Sequence, residues 1–72
     1  MPKLPVLSGA QIVKALERLG FVQIRQRGSH VVMRRDHAGT VVPLHREVKQ
    51  GTLNGILRQA QVSPAQFLAA LD

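Results

Sequence analysis

The sequence predicts an α+β domain: a helix, a three-stranded antiparallel meander and a second helix, with the helices on one face of the sheet and a short helix at the end. Three observations predict it. Ile12, Leu16 and Leu19 recur at helical intervals, and Leu53, Ile56, Leu57 and Ala60 form a second helical stripe. Between the stripes, two alternating segments meet at Gly28-Ser29, which reads as a tight hairpin turn with Gly28 at the positive-φ position. A third strand-like run, Thr40 to Leu44, follows a turn cluster of Asp36, His37, Ala38 and Gly39.

Each element carries its own boundary signals. Ser8-Gly9-Ala10-Gln11 has the spacing of a capping box, Leu7 and Ile12 are placed as a hydrophobic staple, and Gly20 supplies the stop. Phe21 to Arg27 and His30 to Arg35 are the strands of the first hairpin. Pro43 cannot donate to a ladder, so the third strand belongs at a sheet edge. Gly51-Thr52 opens the second helix. Ser63-Pro64-Ala65-Gln66 opens the last one, with proline at the first helical position and Val62 placed to staple onto Phe67.

Register follows from the turns. With Gly28 and Ser29 as loop residues, Arg27 faces His30, Arg25 faces Val32 and Gln23 faces Arg34, so these share the outer side of the sheet. The inner side then collects Val22, Ile24, Val31 and Met33, with Gln26 and Arg35 towards its ends. A four-residue second turn would pair Arg35 with Thr40, Met33 with Val42 and Val31 with Leu44. Val41, Pro43 and His45 then lie on the outer face, His45 directly opposite His30, and a one-residue slip would reverse that arrangement. The expectation is one apolar face and one cationic face that displays a histidine.

The 72 residues make a single domain, 1–72, with a small core. Ten Lys and Arg against four Asp and Glu give a formal net charge of +6, which favours a polyanionic partner. There is no cysteine, hence no disulfide framework or thiol chemistry. The opening Met1 to Leu7 is too short and proline-rich for a signal peptide, and no apolar run approaches membrane-spanning length, so a soluble cytoplasmic protein is expected. Three histidines and four acids without compact ligand spacing argue against a metal site or other cofactor.

The ordered blocks Leu19-Gly20-Phe21, Arg25-Gln26-Arg27-Gly28-Ser29-His30, Val41-Val42-Pro43-Leu44-His45, Gly51-Thr52-Leu53 and Ile56-Leu57-Arg58-Gln59-Ala60 resemble the HicA family of toxin–antitoxin toxins. The resemblance runs from about Ser8 to Ala60. It implies a double-stranded-RNA-binding-domain-like fold, an mRNA endoribonuclease whose catalytic histidine maps to His30, and a cognate HicB-like antitoxin as partner. Two positions depart from the family pattern: Gln61 stands where a glycine often ends the second helix, and Gln50 where a proline often precedes Gly51.

The residues support those roles in their own terms. Histidine exchanges protons near neutral pH and can act as general base or acid. Arg25, Arg27 and Arg34 are candidate phosphate contacts beside it, with Ser29 and His45 as further RNA-contact candidates. The expected chemistry is metal-independent, the ribose 2′-hydroxyl attacking the adjacent phosphorus with help from His30. A lone histidine after a glycine-serine turn is more often a solvated strand residue; the cationic face brings the two readings level, and the resemblance favours catalysis. His37 reads as an exposed turn residue, and His45 as a strand-end residue if the register slips. Lys3, Lys14, Arg18, Arg46, Lys49 and Arg58 either extend the phosphate track or simply solvate the surface. Val32, Val41 and Pro43 make an apolar strip suited to a partner protein. With two Phe and no Tyr or Trp, base-stacking platforms are scarce. The alternatives are a non-catalytic RNA-binding module and an interaction domain for an acidic partner.

Overall fold

The computed structural model describes residues 3–71, which leaves Met1 and Pro2 of the opening stretch, and Asp72, outside the described residues. The elements run α1 (Gly9–Arg18), β1 (Val22–Arg27), β2 (His30–Arg35), β3 (Ala38–Pro43), α2 (Gln50–Ala60) and α3 (Pro64–Ala69). The strands form one antiparallel sheet in the order β1-β2-β3, so β3, with Pro43 at its end, is an edge strand as expected. The α-β-β-β-α order with a short last helix is the predicted architecture.

The helix ends follow the local sequence. Ser8 Oγ accepts from the Gln11 N–H at 3.1 Å while Gln11 Oε1 accepts from the Ser8 N–H at 2.9 Å. The same box recurs with Ser63 and Gln66. Helix α1 stops in a Schellman turn: Gly20 takes φ +97, its N–H reaches the Glu17 carbonyl, and the Phe21 N–H reaches that of Leu16. Helix α2 ends in the same geometry without a glycine. Gln61 takes φ 59 and ψ 40, donating to the Arg58 carbonyl, and Val62 donates to that of Leu57.

The core lies between the helices and the inner face of β2 and β3. Ile12 and Leu16 of α1, Leu53 and Leu57 of α2, Phe67 of α3, and Met33 and Val42 of the sheet are its most deeply buried large side chains. Thr40 is buried among them and donates from its hydroxyl to Gln59 Oε1 at 3.2 Å, tying β3 to α2. Gly9 sets how closely α1 approaches the sheet. A Cβ there would lie 2.0 Å from the Pro43 carbonyl oxygen, and its N–H donates to the His45 carbonyl at 2.9 Å. At the other end of the sheet, the Arg35 guanidinium lies 4.7 Å from the Phe21 ring centroid and donates to the Leu19 carbonyl at 2.7 Å. That arginine closes the core rather than facing a ligand. The leading segment is tied down by the Leu7–Val48 bridge and by the Gln50 amide donating to the Leu4 carbonyl.

Two register expectations fail, for different reasons. In the first hairpin, Arg27↔His30, Gln26↔Val31 and Arg25↔Val32 pair as expected, but beyond them Gln23 pairs with Met33 and Val22 with Arg34. The extra residue is Ile24, a β-bulge. It moves Val22 from the inner to the outer face, leaving Val22 and Ile24 57% and 54% exposed. All six residues of β1 are exposed. Two short helices cover β2 and β3 and no more, so the inner side of β1 faces the flank of α1, where Gln23 and Gln26 are the better-suited side chains.

In the second hairpin the turn is two residues, not four. Asp36 takes φ 54, which aspartate tolerates better than most side chains, and the pairs are Arg35↔Ala38, Met33↔Thr40, Val32↔Val41, Val31↔Val42 and His30↔Pro43. Pro43, not His45, therefore stands opposite His30. A shift of two residues leaves every side chain on its expected face, so Val42 is still buried and Val41 still outside. No helix among the described residues is long and apolar enough to cross a membrane.

Candidate nucleic-acid interface

Pairing fixes the outer face of the sheet as three cross-strand rows. Arg27, His30 and Pro43 form the row next to the Gly28-Ser29 turn; Arg25, Val32 and Val41 form the middle row; Val22, Arg34 and Gly39 form the third. Neighbouring strands lie about 5 Å apart, so Arg27 and Arg25 are the nearest cations to His30 across and diagonally. These rows hold three arginines, one histidine and no carboxylate. A phosphodiester laid along them would meet positive charge; the nearest acid to the His30 row is Glu47, which shares a recess with Pro43.

His30 is exposed at the first residue of β2, immediately after the turn. Gly28 takes φ +53 with no heavy atom within 4 Å of a notional Cβ, so its role is conformational. Ser29 is exposed, and its carbonyl accepts from the Leu44 N–H at 2.6 Å. The β2–β3 pairing thus continues past His30 and holds its backbone on both sides. Among the described residues, the imidazole has no hydrogen-bonding partner that would orient it.

The remaining candidates divide. Arg25 and Arg27 are exposed on the rows beside His30. Arg34 is on the same face but four residues along the strand, about 13 Å away, and its Nε donates to the Asp36 carbonyl at 3.2 Å. His45 lies beyond the end of β3, exposed, in a shallow recess with Glu47, Lys49 and Thr52. Its expected position opposite His30 belongs to Pro43. Val41 is 43% exposed, and Val32 and Pro43 are half-buried, all on the outer face as expected. Lys14 and Arg18 belong to α1 and Arg58 to α2, on the helical layer rather than the rows.

Sequence reasoning missed Ile24 and Gly39. The bulge brings Ile24 beside Arg25, Val32 and Val41, and together with Arg34, Gly39, the turn residue His37 and Gln59 of α2 they line an open groove of about 640 Å³. Gly39, assigned to a turn from sequence, sits inside β3 opposite Arg34 and keeps the groove floor open. The only cue was two β-branched residues at 22 and 24 on a strand whose other members are polar. Among the described residues, no three His, Cys, Asp or Glu side chains come together in a way that would hold a metal ion.

Residues 9–62 match the model of a protein family described as the HicA toxin of bacterial toxin–antitoxin systems. No curated protein matches the chain. The matched span begins at Gly9, which seats α1, and ends at Val62, which closes the turn after α2.

Proposed function

The chain belongs to the HicA toxin family, the toxins of bacterial toxin–antitoxin systems, and from that premise we propose that it is an mRNA endoribonuclease with His30 as its reacting side chain. The observation that carries this reading is the row Arg27–His30–Pro43, one of three cross-strand rows that hold three arginines and no carboxylate. His30 takes the proton from a ribose 2′-hydroxyl. The freed oxygen attacks the adjacent phosphorus, the bond from phosphorus to the 5′-oxygen breaks, and that oxygen leaves with a proton from solvent. The products are a 2′,3′-cyclic phosphate and a 5′-hydroxyl. Arg27 and Arg25 bear the charge that builds on the phosphoryl oxygens, and Ser29 and Arg34 contact the strand on either side.

A toxin of this family pairs with an antitoxin. In this reading the antitoxin covers the outer face, resting on Val32, Val41 and Pro43, and thereby closes the His30 row to RNA.

The test is cleavage of labelled single-stranded RNA by purified protein in excess chelator. The parent is expected to cut and leave cyclic phosphate ends. His30→Ala is expected to lose at least about a hundredfold in rate, the usual contribution of a positioned acid–base group, while keeping its circular dichroism spectrum because the side chain is exposed. Equal rates for the two proteins would overturn the assignment. One observation favours a non-catalytic RNA-binding module instead: His30 has no orienting partner among the described residues. In that case RNA binds and is never shortened.

A further inference from the structure

The groove beside the His30 row combines an aliphatic floor with polar side chains that share one hydrogen-bonding sense. Ile24, Val32 and Val41 supply the aliphatic surface, and Gly39 leaves open the space a side chain would take. Arg25 and Arg34 stand along the groove from β1 and β2, and Gln59 reaches it from α2. Arg34 Nε is committed to the Asp36 carbonyl, which steadies the guanidinium and leaves its terminal N–H groups for a ligand. Gln59 Oε1 accepts from the buried Thr40 hydroxyl, so the amide is oriented and its Nε2 is the end without a partner. The central strand β2 spends its backbone groups on its two neighbours, so the floor adds few acceptors. His37, in the turn at the far end, is the one side chain of the lining that can accept as well as donate.

That lining is the complement of one base edge. A splayed base needs a surface to lie against, which a guanidinium plane over aliphatic side chains provides, and partners for its edge. Groups that donate have nothing to offer an exocyclic amine. Adenine sets its N6 amine beside N7, and cytosine presents its N4 amine. Guanine sets two acceptors, O6 and N7, side by side, and an arginine fork matches that pair.

We infer that this groove is a base subsite of the RNA-binding surface and that it selects guanine, with the Arg34 guanidinium and Gln59 Nε2 as the reading groups. This rests on the reading of the outer face as the surface that meets RNA and does not require that His30 cleave it. Arg34 lies four residues along β2 from His30, about 13 Å, so the base read lies along the strand from the scissile phosphate rather than at it. Gln59 thereby joins the site from the helical layer, carried past the edge of β3 at the position where Gly39 has no side chain. A partner resting on Val32 and Val41 would occupy the same floor, so base and partner exclude each other.

The test is equilibrium binding of 2′-fluoro RNA dodecamers to the full chain; these strands lack the attacking hydroxyl and stay intact. Three are compared: alternating adenosine and guanosine, alternating adenosine and 7-deazaguanosine, and adenosine alone. A bidentate base contact discriminates by at least about fivefold. Half of the registers of the first strand present guanine, so it is expected to bind at least about threefold more tightly than adenosine alone. The 7-deaza strand, which lacks the N7 acceptor, is expected to lose that advantage. Gln59→Glu keeps an oxygen for the Thr40 hydroxyl and turns the free donor into an acceptor. Its added negative charge weakens every strand alike, so the ratio is the readout, and it is expected to fall to one or below. Gly39→Val fills the groove, its Cβ meeting only the Met33 carbonyl oxygen at an ordinary 3.5 Å, and is expected to bring the ratio to one. Gln59→Glu remains informative should that variant fold poorly. Equal affinity of the parent for the three strands, or a guanosine preference that survives Gln59→Glu, would overturn the inference and leave the cleavage reading standing. A parent that prefers guanosine strands yet never shortens unmodified RNA would support the inference and overturn the cleavage reading instead.

Discussion

Gly9→Ala tests whether the contact between α1 and the end of β3 is set by the absence of a side chain. At an unconstrained helix position this substitution stabilises, by about 0.4–1 kcal/mol, because it narrows the unfolded ensemble. Here the new methyl would sit 2.0 Å from the Pro43 carbonyl oxygen and 2.7 Å from the Leu44 Cα, where ordinary contact begins near 3.4 Å. The obstacle is backbone, which cannot rotate away, so α1 must retreat by about 1.4 Å, from 2.0 to 3.4 Å. Retreat lengthens the Gly9–His45 hydrogen bond, worth about 1 kcal/mol, and opens the packing of Ile12 and Leu16 on the sheet. With overpacking typically at about 1–3 kcal/mol, a net loss of about 2–3 kcal/mol is expected. At about 2.1 cal/mol/K per residue, 72 residues give an unfolding entropy of about 0.15 kcal/mol/K. The midpoint should therefore fall by about 13–20 °C in thermal unfolding followed by circular dichroism. Gly55→Ala in α2, with nothing within 4 Å, is the control and should rise by about 3–7 °C. An unchanged or raised midpoint for Gly9→Ala would refute the argument that this glycine fixes the seat of α1 beneath the residue paired with His30.

Gln61→Gly should raise the midpoint by about 3–6 °C, since a left-handed residue other than glycine costs about 1–2 kcal/mol and added freedom in the unfolded chain returns part of that; differential scanning calorimetry reads it, and a fall in midpoint would contradict the cap geometry. Arg27→Ala should flatten the log–log dependence of RNA affinity on salt by about 0.7, one phosphate on a single strand, whereas Arg58→Ala on α2 should leave the slope as it is. Arg35→Ala should lower stability by about 1–2 kcal/mol through loss of the Phe21 and Leu19 contacts and leave the salt slope unchanged. Denaturant unfolding and filter binding on one preparation separate these two effects. Phe67→Ala should cost about 3–5 kcal/mol, enough to leave a domain of this size largely unfolded, because the ring is fully buried in the core.

The sequence by itself determined the element order, the helix ends and the division of the sheet into two faces. Those features are local. A capping box spans four residues, a Schellman turn six, and alternation along a strand has a period of two whatever the strand pairs with. His30 beside Arg27 was legible for the same reason, since a two-residue turn leaves its flanking residues no other partner. The second hairpin shows the limit. Pairing His30 with Pro43 or with His45 puts the same side chains on the same faces, so burial does not distinguish registers that differ by two. The conformation of Asp36 decided it. Ile24 shows the other limit. Whether β1 bulges depends on how many strands two short helices can cover, which is a property of the packed core rather than of the strand. That tertiary decision moved two apolar side chains outward, and the groove on the outer face exists because of it.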